Sequence, residues 1–220
     1  HNVLLADNPW NEGDDPTSWV RGHLPERFIQ RQSRIVLQDR AVMVIGPRQS
    51  GKSTLIWKTL SDLNESCLLV DCEEPAIREW SRSPALFLRG LRDMIPPGTV
   101  VFFEEIQNLD EAGLFLKGLV DRRSGYRIIA TGSSSFQLES RTRESLAGRA
   151  TRHLLLPFSL SELVDAETTG SAAMRAKRTR EILEQLMIHG GYPDVHLGRR
   201  REAVLTGLVE SFVIRDASDR

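Results

Sequence analysis

The chain predicts an α/β fold: a parallel sheet flanked by helices, followed by a small helical domain. Three observations carry this. Short runs such as Ala41 to Ile45 and Val100 to Phe103 are apolar at every position. That is the pattern of strands buried on both faces, not the alternation of a half-exposed sheet. Helix-period segments separate those runs, as parallel pairing requires. The first run ends in a glycine-rich loop carrying a lysine, at the strand end where open α/β sheets take their ligands.

Taken in order, residues 1–30 form an N-terminal arm with turn chemistry at Asn8-Pro9-Trp10, Gly13, Asp14-Asp15-Pro16 and Gly22. Trp10 and Trp19 are expected to anchor it on a neighbouring surface. From Pro25 to Arg40, the spacing of Phe28, Ile29, Ile35, Val36 and Leu37 predicts a helix leading into the core. Ala41 to Ile45 is the first strand, Gly46 to Gly51 a loop and Lys52 to Leu63 a helix. Cys67 to Val70 is the second strand, ending at Asp71. Pro84 to Met94 is helical, with the proline in its first turn. Pro96-Pro97-Gly98 breaks the chain before the third strand, Thr99 to Phe103. A helix over 111–123, a fourth strand over 126–130 and a fifth over 151–156 complete the sheet. After Pro157 the strands stop. Helices are expected over 159–166, 174–189 and 200–215, with a turn at Gly190-Gly191-Tyr192-Pro193. A boundary near residue 158 divides a core, 31–158, from a helical lid domain, 159–220.

Composition excludes several classes. Lys plus Arg is 29 against 30 for Asp plus Glu, so bulk positive charge cannot grip nucleic acid. Only local clusters, Arg199-Arg200-Arg201 and Arg175 with Lys177, Arg178 and Arg180, offer phosphate contacts, and such clusters are usually solvated. Two cysteines exclude a disulfide scaffold, and no Cys/His cluster completes a zinc site. No apolar run approaches the ~20 residues that span a bilayer, so a membrane is not an expected partner. A reducing cytoplasm is the expected compartment.

The most specific signal is Gly46-Pro47-Arg48-Gln49-Ser50-Gly51-Lys52-Ser53, followed by Thr54. It matches G-x-x-x-x-G-K-[ST], for which this composition gives only about 0.003 chance matches in a chain of this length. The glycines let backbone N–H groups turn inward around a phosphate. The helix that starts behind the loop adds its positive dipole end. Lys52 is expected to reach β- and γ-phosphates, Ser53 to place its hydroxyl on Mg²⁺, and Thr54 to lie beside the α-phosphate. ATP or ADP with Mg²⁺ is therefore the expected ligand.

A metal partner is expected from a neighbouring strand. Val100-Val101-Phe102-Phe103 runs into Glu104-Glu105, two acids at the ligand edge of the sheet. Glu104 is expected to hold Mg²⁺, and Glu105 to polarise the water that attacks the γ-phosphate. Gln107 either orients water, contacts a neighbouring chain or is a plain loop residue. The fourth strand ends in Ala130-Thr131-Gly132-Ser133-Ser134-Ser135, which makes Thr131 and Ser133 candidates for sensing the γ-phosphate. A separate glutamate plus this polar strand end predicts an extra strand inserted beside the phosphate-loop strand, in the order 5-1-4-3-2. Arg149, after Gly148, is the candidate to neutralise γ-phosphate charge, from its own chain or from a neighbour in a homo-oligomer. Gly191, Tyr192 and Pro193 would let the lid approach the nucleotide.

Four segments in order, GPRQSGKST at 46–54, VVFFEEIQN at 100–108, ATGSSS at 130–135 and SLAGRATRHLLLPFSLSEL at 145–163, resemble the prokaryotic AAA-type P-loop ATPases often joined to a C-terminal nuclease-like domain. HGGYPDV at 189–195 is similar to the Gly-x-Pro lid motif of the signalling ATPases called STAND. The resemblance covers about residues 30–216. It implies a P-loop NTPase fold, Mg-dependent ATP hydrolysis, and nucleotide-driven lid movement passed to a partner or a further C-terminal domain beyond Arg220. The family's acidic motif usually reads Asp-Glu, whereas here it is Glu-Glu. The alternative is a nucleotide-gated switch or binding module with little or no turnover.

Overall fold

Ala41–Ile45 (β1) is buried at all five positions, and Val100–Glu104 (β3) at its first four. Their side chains alternate between two cores. Met43, Val101, Phe103 and Ala130 face one, with Phe87, Leu91, Phe115 and Leu116 from covering helices. Val42, Val44, Phe102 and Ile129 face the other, with Leu55, Ile56, Trp57 and Leu60. A strand that buries both faces must be apolar throughout, which is why these runs carry no period of two.

The computed structural model describes residues 4, 8, 15–38, 40–133, 144–168, 170–198 and 201–218, with side chains to residue 210. Cys67–Asp71 (β2), Arg127–Gly132 (β4) and Ala150–Leu154 (β5) complete a five-stranded sheet in the order β2-β3-β4-β1-β5. This is the expected 5-1-4-3-2. Every pairing is parallel, with Ile45 opposite Gly132 and Leu154, and Asp71 opposite Glu104. All five carboxyl ends therefore share one edge, and the glycine-rich loop leaves β1 there.

The helices are Pro16–Gly22 (α1), Lys52–Asp62 (α2), Pro75–Trp80 (α3), Pro84–Arg92 (α4) and Ala112–Asp121 (α5) in the sheet region. Leu160–Glu167 (α6), Ala172–His189 (α7), Pro193–Leu197 (α8) and Arg201–Ser218 (α9) follow. Their starts are set by local chemistry. Asp15, Ser83 and Ser171 accept backbone N–H bonds as N-caps, and Ser159 with Glu162 forms a reciprocal capping box.

The chain divides into two compact units. The first comprises residues 1–24, 33–48 and 52–155; the second comprises 25–32, 49–51 and 156–220. In the first, Trp19 packs edge-on against Trp57 at 5.4 Å, as an anchoring aromatic should. Trp10 lies outside the described residues. In the second, Ile29, Phe158, Leu163, Val164 and Ile182 form a small core of their own.

Three local expectations differ from the structure. Residues 25–38 form no helix. Ile29 is buried in the second unit and Ile35 in the first, so their helical spacing never becomes one face of one element. Helix α3 was hidden by its shortness, six residues between two prolines at 75 and 84. The Gly190–Pro193 turn does not simply join two helices but leads into the short α8, with Pro193 at its first position. Among the described residues no helix is long and apolar enough to cross a membrane.

Candidate functional site

In the first unit, the carboxyl edge gathers Lys52, Ser53, Glu104, Glu105 and Thr131. Lys52 opens α2, and its side chain is only 5% exposed. Its Nζ donates to the carbonyls of Gly46 at 3.3 Å and Pro47 at 3.0 Å, and lies 3.9 Å from Glu105 Oε1. Ser53, one residue on, hydrogen-bonds through its hydroxyl to the Glu104 carboxylate at the end of β3. The sequence places these partners 51 residues apart; the β1–loop–α2 unit and the end of β3 bring them into contact.

The site disfavours its own charges. Burial lowers the Lys52 pKa, and Arg48 adds to this, while Glu105 and Glu104 oppose it. Burial raises the Glu104 pKa, with Glu105 and Asp71 adding their repulsion; the Ser53 hydroxyl and His23 act the other way. Among the described residues this buried ammonium is held by backbone carbonyls and a carboxylate at 3.9 Å, which leaves capacity for a further anion.

Glu105 leaves β3 in the left-handed region, φ 51° and ψ 51°. An ordinary residue there carries strain that its neighbours must hold in place. Its N–H donates to Thr131 Oγ1 at 2.9 Å, and a 3₁₀ turn, Ile106–Asn108, follows at once. Gln107 ties this corner together. Its amide nitrogen donates to Glu105 Oε2, and its amide oxygen accepts the Ser133 N–H at 3.1 Å. Thr131 and Ser133 therefore both reach the Glu105 corner, one directly and one through Gln107. Ser134 and Ser135 lie outside the described residues.

The middle of the loop, residues 49–51, belongs to the second unit. Gln49 has φ 58° and Gly51 φ 90°, left-handed positions that turn the loop. The Ser50 hydroxyl is buried and has no hydrogen-bond partner among the described residues. Pro193 Cγ comes within 3.6 Å of where a Gly51 side chain would start. Gly191 meets a local packing requirement for glycine. A methyl there would run into the Phe158 carbonyl oxygen, and the Gly191 carbonyl accepts the Phe158 N–H at 2.6 Å. Tyr192 is half-buried at the N-terminus of α8, and burial raises its pKa.

Arg149 is not brought to this edge. Its carbonyl accepts from the Ala41 N–H at the start of β1, and its Nε donates to Asp121 Oδ1 at 2.6 Å. That is the amino edge of the sheet, a strand length of roughly 13 Å away from the loop. The glycine before Arg149 fixes a turn and not an edge of the sheet. Arg31 and Glu162, conversely, had no place among the candidate residues, although Ser159-x-x-Glu162 is a readable capping-box signature. Nothing local marks Arg31, whose partners lie 19, 125 and 131 residues away.

The donor set fits a hard divalent cation and a polyphosphate. A serine hydroxyl and a carboxylate in contact are oxygen ligands of the kind Mg²⁺ accepts, beside a buried cation and a left-handed glycine loop. Comparison with protein families matches residues 38–164 to the AAA domain. Among solved structures the chain is similar to the FIGL-1 AAA domain in complex with ADP, at 13% identity and a TM-score of 0.41. That likeness covers 58% of this chain and 46% of the other, so the chain spans less than half the length of that structure. No curated protein matches it.

Proposed function

The chain belongs to the AAA domain family, and from that premise we propose that it binds ATP and ADP and hydrolyses the β–γ phosphoanhydride of ATP. The observation that carries the proposal is the carboxyl-edge cluster: Lys52 buried under the loop, Ser53 on Glu104, and Glu105 beside them. In this reading the backbone N–H groups of residues 46–54 cradle the phosphates, Gly46, Pro47, Arg48, Gln49, Ser50 and Gly51 forming the loop and Thr54 closing it. Lys52 exchanges its carbonyl partners for β- and γ-phosphate oxygens. Ser53 and Glu104 would hold Mg²⁺, which when bound neutralises charge on those oxygens.

Glu105 is the proposed base. It takes a proton from water as the water oxygen bonds to the γ-phosphorus and the bond to the bridging oxygen of ADP breaks. Thr131 and Gln107 fix the Glu105 backbone and carboxylate, and the Thr131 and Ser133 hydroxyls are the proposed γ-phosphate sensors. Because Arg149 lies at the amino edge, its proposed role is confined to the nucleotide of a neighbouring copy, in a homo-oligomer. Tyr192 and Pro193, with Gly191, are proposed to approach the nucleotide as part of a lid whose movement follows nucleotide state. That residues 49–51 belong to the same compact unit as 191–193 supports that link.

One observation favours the alternative, a nucleotide-gated switch with little turnover: Gln107 already donates to one oxygen of the Glu105 carboxylate. Calorimetry with ATP tests the shared premise. Lys52→Ala should weaken binding roughly 10-fold to 100-fold, the loss expected for a charge-assisted hydrogen bond of ~1.5–3 kcal/mol. Unchanged affinity in a folded Lys52→Ala protein would falsify nucleotide binding at this loop.

A further inference from the structure

Arg31 is buried, 6% exposed, and its guanidinium reaches three separate segments of the second unit. Nε donates to Glu162 Oε1 at 3.0 Å, Nη1 to the Ser50 carbonyl at 2.9 Å, and Nη2 to the Leu156 carbonyl. The guanidinium also lies over the Phe158 ring, 4.8 Å from its centroid. Glu162 is equally buried, at 5%, and its carboxylate also accepts the N–H groups of Gln32 at 2.8 Å and Ser159 at 2.9 Å. Each group thus has the partners that a buried charge needs.

We propose that Arg31 is a positioning residue for polyphosphate binding: clamped by Glu162, it holds the Ser50 carbonyl outward so that residues 49–51 keep their left-handed turn. The inference rests on the nucleotide-binding reading of the 46–54 loop. Three features of that turn support it. Gln49 is a non-glycine residue at φ 58°, and such a conformation persists only where its surroundings over-determine it. The Ser50 side chain supplies no tether, since its buried hydroxyl has no partner among the described residues. The Ser50 carbonyl accepts from Arg31, which binds the turn to a fixed ion pair. A peptide whose carbonyl points outward presents its N–H on the opposite side, where an anion would sit.

The chemistry calls for arginine. Its planar fork sends donors to three acceptors while its face stacks on Phe158; a lysine ammonium has a single donor centre and no planar face. Glu162 pairs with it at the start of α6, whose capping box it completes, so the turn is registered against that helix.

The test uses the whole chain and four proteins: wild type, Arg31→Lys, Glu162→Gln and the double variant. Circular dichroism and thermal unfolding without ligand establish that each is folded. Calorimetry is then run with ATP and with tripolyphosphate, which has phosphates but no base. Arg31→Lys should lower affinity for both probes about 10-fold. Glu162→Gln should lower both in the same direction, and the double variant should lose less than the sum of the two. Equal loss for both probes, in variants that circular dichroism and unfolding show to be fully folded at the assay temperature, identifies the phosphate turn, because a reduced folded fraction is then excluded as its cause. A folded Arg31→Lys protein that binds both probes as wild type does overturns the proposal while leaving the nucleotide reading intact. Loss of ATP affinity alone overturns it too, since the effect would then lie at the base. A wild-type chain that binds neither probe overturns both.

Discussion

Lys52 and Glu104 hold charges that their surroundings oppose, and Glu105 holds a backbone conformation that its own side chain does not favour. Such costs persist where binding or chemistry offsets them. Two adjacent glutamates thereby acquire different surroundings. Glu104 is still on the strand, turned to Ser53. Glu105 has left the strand through a left-handed turn and faces Lys52 and Gln107. The proposed division between metal ligand and base follows from that backbone reversal. Glu105→Gln should therefore retain ATP but lose turnover by ~10²-fold or more, as removal of a positioned base implies. Phosphate release under saturating ATP, paired with calorimetry, checks this. The reverse result, with Glu104→Gln bound but inert and Glu105→Gln active, would exchange the two roles.

At the scale of elements, the strands and the loop between β1 and α2 were legible because each depends on a few adjacent residues. A wholly apolar five-residue run or a G-x-x-x-x-G-K-S string needs no distant partner to be recognised. Of what depends on distant partners, the strand order was legible and other features were not. The residues from 25 to 38 have helical spacing but serve two cores, and Arg31 acquires its meaning only from residues 50, 156 and 162. Gly191 shows the same limit. The sequence suggests clearance for an approaching lid at this glycine and gives no sign that the backbone of Phe158 fills the space a side chain would take. Gly191→Ala should accordingly destabilise the protein by ~1–3 kcal/mol, the usual cost of overpacking, with or without nucleotide. Denaturant unfolding of the unliganded protein measures it. A change below about 0.5 kcal/mol would mean that the segment relaxes freely and that the close approach is not binding.

For the molecule as a whole, the carboxyl edge should trade stability for binding. The sign follows from the direction of each shift. The Glu104 pKa is raised in the folded state, so the folded protein holds this proton more tightly than the unfolded one. The corresponding stability is fully present below the ordinary carboxylate range and is lost as pH rises through the folded pKa. Glu162 runs the other way. Burial pushes it up, but bonds from the Ser159 and Gln32 backbone and from Arg31 outweigh this and hold its pKa down. Its contribution is present above the ordinary range and is lost as pH falls through the lowered value. At neutral pH, then, Glu162 stabilises and Glu104 destabilises. Glu104→Gln, which keeps the shape and removes the charge, should raise the unliganded melting temperature, whereas Glu162→Gln should lower it. Ligand should reverse the order for the first variant. ATP with Mg²⁺ at about 100 times its dissociation constant should stabilise the wild type by ~2.7 kcal/mol. For a chain of this size that is a rise of roughly 5–10 °C. Glu104→Gln lacks a proposed Mg²⁺ ligand and should gain less than half of this under the same conditions. Melting curves at pH 7 with and without MgATP provide both numbers. An unliganded Glu104→Gln protein that melts below wild type would show that the Ser53–Glu104 contact stabilises the fold, and that the charge is not held there at a cost.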